Sequence, residues 1–394
     1  MPGIREPLLT VPGFSWTGMN VGIKDTRPDF AVAHCVTPCA AAGVFTRNNF
    51  PGAPVLVGRE HLSTGQLQTI AVNSKNANVA TGQDGIANAR RVCRAVGAAL
   101  GVAPERVLPS STGVIGVPLP VGKIEQACAE LPGRLSADRA GLEAFARAIM
   151  TTDTRPKAVS VRVGSAVITG VAKGAGMIEP HMATMLAFFF TDAQVSSNAL
   201  RDILSRVVER SFNRVSVDSD TSTSDTAVIL ASGQAGPVAS GDFERALEEA
   251  AIYLAREIAR DGEGATKLIE LVVDQAPSPE AALRIAKSVI NSPLVKTAIH
   301  GADPNWGRFV MAIGKVFEHP IPLDSLRIEF GAESEGLRIA AAGQNAETLA
   351  RISQYLKRDE VVIRLILGQG AHQARVWGCD LTAEYVSVNA DYTT

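Results

Sequence analysis

Lys173-Gly-Ala-Gly-Met-Ile-Glu-Pro-His-Met-Ala-Thr-Met-Leu-Ala-Phe-Phe-Phe-Thr-Asp-Ala193 is the most unusual stretch of this 394-residue chain. A turn containing Gly174 and Gly176 leads through Pro180 to Ala183 and Thr184, and the apolar run Met185 to Phe190 follows at once. Glycine supplies the backbone freedom of a tight turn. The run is far too short for a membrane span, which needs about 20 apolar residues, so it reads as a buried element. Small residues around a threonine, next to such an element, are odd for a surface loop. Taken alone, the pattern also fits a turn entering a core helix.

Outward from this stretch, helical and strand patterns alternate without an internal repeat. Ile86, Val92, Val96 and Leu100 share a helical face behind Asp84 as N-cap. Phe243, Leu247, Ala251, Leu254 and Ile258 stripe a second helix from Asp242 to a stop at Gly262, and a third spans Glu280 to Ile290. Ala158–Val163, Ala166–Val171, Thr226–Leu230, Leu268–Val273, Leu326–Phe330 and Val361–Leu367 are β-branched segments between turn residues, the mark of strands, and Tyr385–Val388 is strand-like as well. Ala231–Gly241 reads as a surface connection, and Asp274–Pro279 as the boundary between domains 1–279 and 280–394. Strands mixed with long helices, without strict βαβ alternation, predict an α+β fold.

Net charge is −2 with no block of like charges, so no basic face exists to neutralise phosphates, and nucleic acid is excluded as a partner. The five cysteines show no CxxC pair, and His34, Cys35 and Cys39 do not supply the four ligands of a structural zinc. An odd, unpatterned set of thiols fits a reducing compartment, and the N-terminus lacks the apolar core of a signal peptide, so a cytoplasmic protein without membrane partners is expected.

Two motifs fail on context. Arg94-Ala-Val-Gly97-Ala-Ala99 matches the RxxGxA loop of coenzyme-A-dependent acetyltransferases, but lies mid-helix, where its N–H groups are already bonded and cannot cradle a pyrophosphate. Asp218 to Ile229 resembles a calcium loop but has Thr223 where glycine is required and Ile229 where a bidentate Glu is required. No GxSxG elbow is present.

The Lys173–Leu186 block resembles the self-cleavage motif of the ornithine acetyltransferase (glutamate N-acetyltransferase) family. Blocks at Asn73–Gly82, Ser111–Gly116, Met150–Lys157, Asp218–Thr226, Asp261–Lys267, Gly301–Arg308 and Val388–Thr394 are similar to that family in the same order. The resemblance implies an α/β/β/α-layered sandwich holding the cleavage site, plus a smaller C-terminal α+β domain. It implies cleavage between Ala183 and Thr184, and assembly of two α chains (1–183) with two β chains (184–394). The implied reaction is ping-pong transfer of acetyl from N-acetylornithine to glutamate through Thr184. An alternative from the same fold is a self-cleaving amidohydrolase or aminopeptidase that passes the acyl group to water. No metal or cofactor is implied; acetyl-CoA is a further possible donor.

The chemistry agrees with that implication. A threonine hydroxyl is a weak nucleophile until a base takes its proton. Once freed, Thr184 owns an α-amino group with an ordinary pKa of about 7.7–8.0, suited to general base work. Nucleophile and base then share one residue, and no catalytic histidine is needed. By resemblance, the Thr112 hydroxyl and Gly113 N–H form the oxyanion hole, while Thr151, Lys173, Thr184, Glu263, Asn389 and Thr394 bind substrate. Lys173 is expected to pair with the α-carboxylate common to both substrates, and Glu263 to offset the ornithine ammonium.

Overall fold

The computed structural model describes residues 3–179, 185–340 and 345–391. Ala183, Thr184 and Thr394 lie outside the described residues. The chain divides into two compact units: one runs to Asn213 and includes Asp220–Ile258, the other combines Arg214–Ser219 with the chain from Ala259.

The strands are β1 (Phe14–Met19), β2 (Phe30–Phe45), β3 (Gln66–Asn73), β4 (Val107–Ser111), β5 (Lys157–Val163), β6 (Ala166–Lys173), β7 (Leu186–Gln194), β8 (Val215–Ser216), β9 (Thr226–Pro237), β10 (Leu268–Ala276), β11 (Arg327–Phe330), β12 (Leu337–Ala340), β13 (Glu360–Ile366) and β14 (His372–Cys379). In the first unit an eight-stranded sheet runs β4-β3-β2-β9-β7-β6-β5, with β1 added on β2. The apolar run after Thr184 becomes β7, a strand where a core helix was the competing reading. Leu186 to Ala193 are all buried, as expected of a strand covered on both faces.

The sheet folds over on itself. Between β1 and β7 lie β2 and β9, a separation of three strand spacings or about 14 Å in a flat sheet. Yet the Phe14 and Trp16 rings of β1 meet Phe190 of β7 at 5.4 and 5.7 Å between centroids. The bend is built into the 16-residue β2, whose pairing with β3 shifts register between His34 and Cys39. Gly18 of β1 has no room for a Cβ, because the Ala144 backbone of helix Arg139–Ala148 presses on it.

Helices cover both outer faces. Val92, Val96 and Ile124 pack on Phe30, Val32 and Val107. On the opposite face Phe189 meets Phe212, and Gly170 of β6 lies under Leu254. The result is the α/β/β/α sandwich, with its two β layers made from one continuous sheet.

The second unit holds a six-stranded sheet, β12-β11-β13-β10-β14-β8. Ile269, Leu271 and Val273 alternate toward a core shared with Ile285, Phe309 and Ile352. This is the smaller α+β domain, but it begins earlier than the boundary at 279. That boundary would cut β10 out of a sheet in which it pairs with both β13 and β14. The proline-rich Asp274–Pro279 is the end of β10 plus a helix N-cap, in which the Ser278 side chain accepts from the Ala281 N–H.

Local expectations changed in three further places. Thr81, not Asp84, holds the N-cap position of helix Gly82–Leu100. Ala231–Pro237 continues β9 through Gly233 and Gly236, whose φ values of 77° and 82° belong to a bulged edge. Tyr385–Val388, strand-like by composition, lies in helix Ala383–Asp391.

Candidate active site

Two adjacent strand ends build the first half of the site. After β3 the chain runs through Asn73–Gly82, and Lys75, Asn78 and Ala80 all have positive φ (79°, 51° and 57°). Each such non-glycine residue costs on the order of 1–3 kcal/mol and persists only where its surroundings over-determine it. Here they do. Asn73 Nδ2 donates to Asn76 O at 2.8 Å, Ser111 Oγ donates to Asn73 Oδ1 at 2.5 Å, and Asn78 N donates to Asn76 Oδ1 at 2.9 Å.

After β4, Thr112 N donates to Asn73 O and Val114 N to Lys75 O, both at 3.0 Å. Between them, the Gly113 N–H has no acceptor among the described residues. Gly113 has φ 131°, and a Cβ there would collide with the Lys75 carbonyl. Only glycine fits, and the strained loop thus holds an N–H without an acceptor among the described residues directly after Thr112 in the chain. That is the arrangement an oxyanion hole needs.

β6 and β7 build the second half. Lys173, buried at the end of β6, is the register partner of Leu186, two residues after Thr184. Its Nζ donates to Thr112 Oγ1 at 3.2 Å. By occupying a lone pair, the ammonium leaves the threonine proton available for an oxyanion.

A buried carboxylate neutralises part of this charge. Asp153 pairs with Lys157 at 2.7 Å, both side chains fully buried, and accepts from Gly174 N at 2.6 Å and Thr151 N at 3.0 Å. Burial pushes its pKa up, but the charges of Lys157 and Lys173 and these hydrogen bonds prevail and hold it well below the usual carboxylate range. Asp153 is therefore ionised and ties Thr151 to Lys173. A further carboxyl, Asp225, is pushed well above its ordinary range, chiefly by burial. Lys24, whose Nζ donates to Met150 O at 2.7 Å, is pushed down to about 8, first by burial and then by Arg27, with Lys173 adding a smaller repulsion.

Of the expected substrate residues, Glu263 and Asn389 belong to the second unit, where Asn389 Nδ2 donates to Glu263 Oε2 at 2.8 Å. Asp153, Lys157, Lys24 and Asp225 were not singled out from the sequence. Asp153 and Lys157 stand at i and i+4 in the Met150–Lys157 block, a usable signal; Asp225 was hidden in the rejected calcium-like loop.

Residues 15–394 match the model of the ArgJ family. The chain belongs to the ArgJ family. It is 47% identical to the arginine biosynthesis bifunctional protein ArgJ 2 of Nostoc sp. over 98% of both chains. It is equally 47% identical to the glutamate N-acetyltransferase Oat2 of Streptomyces clavuligerus, again over 98% of both. A crystal structure of the ArgJ protein of Bacillus halodurans aligns with 39% identity and a TM-score of 0.49, covering 53% of this chain and 100% of that one. As an ArgJ-family member the protein is an acyltransferase enzyme of arginine biosynthesis. No helix among the described residues is long and apolar enough to cross a membrane.

Proposed function

We propose that the chain cleaves itself between Ala183 and Thr184 and then carries acetyl from N-acetylornithine to glutamate on Thr184 Oγ. The observation that carries this reading is the convergence on the start of β7. Lys173 is in register with Leu186 and reaches Thr112, whose neighbour Gly113 offers an open N–H.

Acetyl transfer passes through two tetrahedral oxyanions, one as Thr184 attacks N-acetylornithine and one as glutamate attacks the acetyl-enzyme. Thr112 Oγ1 and Gly113 N donate to both, each donor contributing roughly 2.7–4 kcal/mol. The freed Thr184 amine takes the hydroxyl proton and returns it to the departing ornithine amine. Thr151, Lys173, Glu263, Asn389 and Thr394 bind the amino-acid substrates, with the Lys173 ammonium taking the α-carboxylate. We further propose that the two products of cleavage stay together as two α and two β chains, and that the enzyme works in the cytoplasm without metal or cofactor.

Intact mass of the purified protein tests the first step: two chains breaking at Ala183/Thr184 are expected, and one uncut chain overturns it. Incubation with N-acetylornithine tests the second. Ornithine release that depends on glutamate is expected; equal release without any acceptor turns the enzyme into a hydrolase.

A further inference from the structure

The Gly113 N–H can stabilise an oxyanion only if it is held in one direction, and the strand ladder stops short of it. Pairing between β3 and β4 ends at Asn73 and Ser111. Thr112 N and Val114 N, on either side of Gly113, bond to the carbonyls of Asn73 and Lys75. Gly113 is therefore as fixed as the segment opposite, which has left the sheet and carries the three positive φ values. Packing does not clamp the chain beyond Gly113, where Ile115 and Val117 are 39% and 46% exposed.

Asn76 stands at the centre of that segment. It is β-bridged to both Thr112 and Val114, the two neighbours of Gly113, and its backbone nitrogen would lie 2.7 Å from a Cβ at position 113. Its side chain, 4% exposed, joins the two loops. Oδ1 accepts from Asn78 N at 2.9 Å, closing a turn within its own segment. Nδ2 donates to Val117 O at 3.1 Å and Pro118 O at 3.2 Å, on the far side of Gly113. Asn73 completes the clamp on the near side: Ser111 Oγ donates to its Oδ1, and its Nδ2 donates to Asn76 O.

These bonds decide the residue type. One acceptor and two protons are needed at the end of a short side chain. Ionised aspartate offers no proton, serine offers one, and glutamine is a methylene longer. Both Nδ2 protons of Asn76 are committed to protein carbonyls, so its amide donates nothing to a substrate and acts through Gly113 instead.

We propose that Asn76 is the positioning residue of the oxyanion hole. By tying its own segment to Val117 and Pro118, it fixes the direction of the Gly113 N–H. This rests on the assignment of Thr112 and Gly113 as oxyanion donors above. Such a donor gains strength only as charge develops on the substrate oxygen, so tilting it slows chemistry and spares substrate binding.

The experiment takes full-length Asn76→Ala through a single turnover with N-acetylornithine. Mass spectrometry of the cut chain reads the rate constant of acetylation and the fraction finally acetylated. A small misplacement of a catalytic group is worth up to about 10²-fold, so the rate constant should fall by roughly 10–10²-fold. The acetylated fraction and the KM for N-acetylornithine should stay within about twofold of wild type. A residue that only stabilises the fold gives the opposite pattern, a smaller acetylated fraction at the wild-type rate constant, and that result overturns the proposal.

A double mutant sharpens the assignment. In Gly113→Ala the N–H is already displaced, so adding Asn76→Ala should slow acetylation by less than about threefold, and full additivity overturns the proposal. Should Asn76→Ala fail to fold or to be cut, Asn76→Asp decides, because it keeps the acceptor for Asn78 N and loses both protons. A slowed rate constant at an unchanged acetylated fraction supports the role; a wild-type rate constant rejects it. If Thr112→Ala and Gly113→Ala both keep wild-type rates, the oxyanion reading has failed and this inference falls with it. If both slow acetylation while Asn76→Ala does not, only this inference is lost.

Discussion

Two buried lysines, one in each unit, are wired in opposite ways. Lys267, 9% exposed, donates to three backbone carbonyls: Ile299 O at 2.7 Å, His300 O at 3.0 Å and Leu356 O at 2.7 Å. Three donors meet three acceptors, and the network is closed. Asp380 beside it is equally occupied, accepting from the N–H groups of Thr266 and Lys267 and bonding His300 Nδ1 at 2.8 Å. Lys173, 7% exposed, instead donates to the Thr112 hydroxyl, next to a Gly113 N–H without an acceptor among the described residues, and Asp225 Oδ2 also lacks a partner among them. A closed buried network stabilises a fold. An open one holds costly groups in readiness for something that arrives, which is how active sites spend stability.

The sharpest break in that comparison is Thr184 itself. Thr184→Ala should leave one uncut chain with no transfer, while melting as a folded protein. Normal cleavage in this variant removes the nucleophile from the mechanism and the purpose from the open network.

Next is the oxyanion pair. Thr112→Ala should slow cleavage and transfer together by about 10²–10³-fold, because each reaction passes through a tetrahedral oxyanion. Gly113→Ala should do at least as much and destabilise the fold too, since its Cβ meets the Lys75 carbonyl at φ 131°. Loss of one reaction without the other would separate the two oxyanion sites.

The paired lysines give a smaller and more discriminating test. Lys267→Met should lower stability by several kcal/mol, because three buried carbonyls lose their donor at about 1–3 kcal/mol each. Activity per folded molecule should stay near wild type. Lys173→Ala should do the reverse, raising KM for N-acetylornithine and glutamate alike by on the order of tenfold, the value of one charge-assisted hydrogen bond. Thermal melts and steady-state kinetics on both variants decide it. Equal kinetic damage from Lys267→Met would erase the distinction between closed and open wiring.

Much of the open half was legible because its chemistry resides in residue types at motif positions. Thr112, Gly113 and Lys173 were named from sequence, and the structure brings all three together. Asp153 and Asp225 were missed for a physical reason. A carboxylate in a block of polar residues looks solvated, and only the folded sheet shows that both are buried. The same limit explains the domain boundary and the end of β9. Proline and glycine mark local turns, but pairing with β13, β14 and β7 decides whether the chain leaves a sheet. Tyr385–Val388 shows tertiary context overriding propensity. Gly264, too tight for any Cβ against the Tyr385 backbone, and Thr382 Oγ1, bonded to Gly264 O, hold the start of a helix there.

The smallest expected effect concerns the Glu263–Asn389 pair of the second unit. Glu263 is bonded to Asn389 Nδ2, an arrangement that leaves carboxylate lone pairs for a ligand. If Glu263 faces the ornithine ammonium, Glu263→Gln removes a charge that only one substrate uses. The acetylornithine half-reaction, measured as acetyl-enzyme formation, should weaken by roughly 1.5–3 kcal/mol or less, given the exposure of the pair. Discharge of the acetyl group to glutamate should be unchanged or faster, because an anionic side chain no longer meets a carboxylate. Glutamine keeps the shape and still accepts from Asn389, so the contrast between halves reports charge and not lost packing. Equal damage to both halves would mean that Glu263 serves a step they share, and would move it from substrate recognition to the orientation of Thr184.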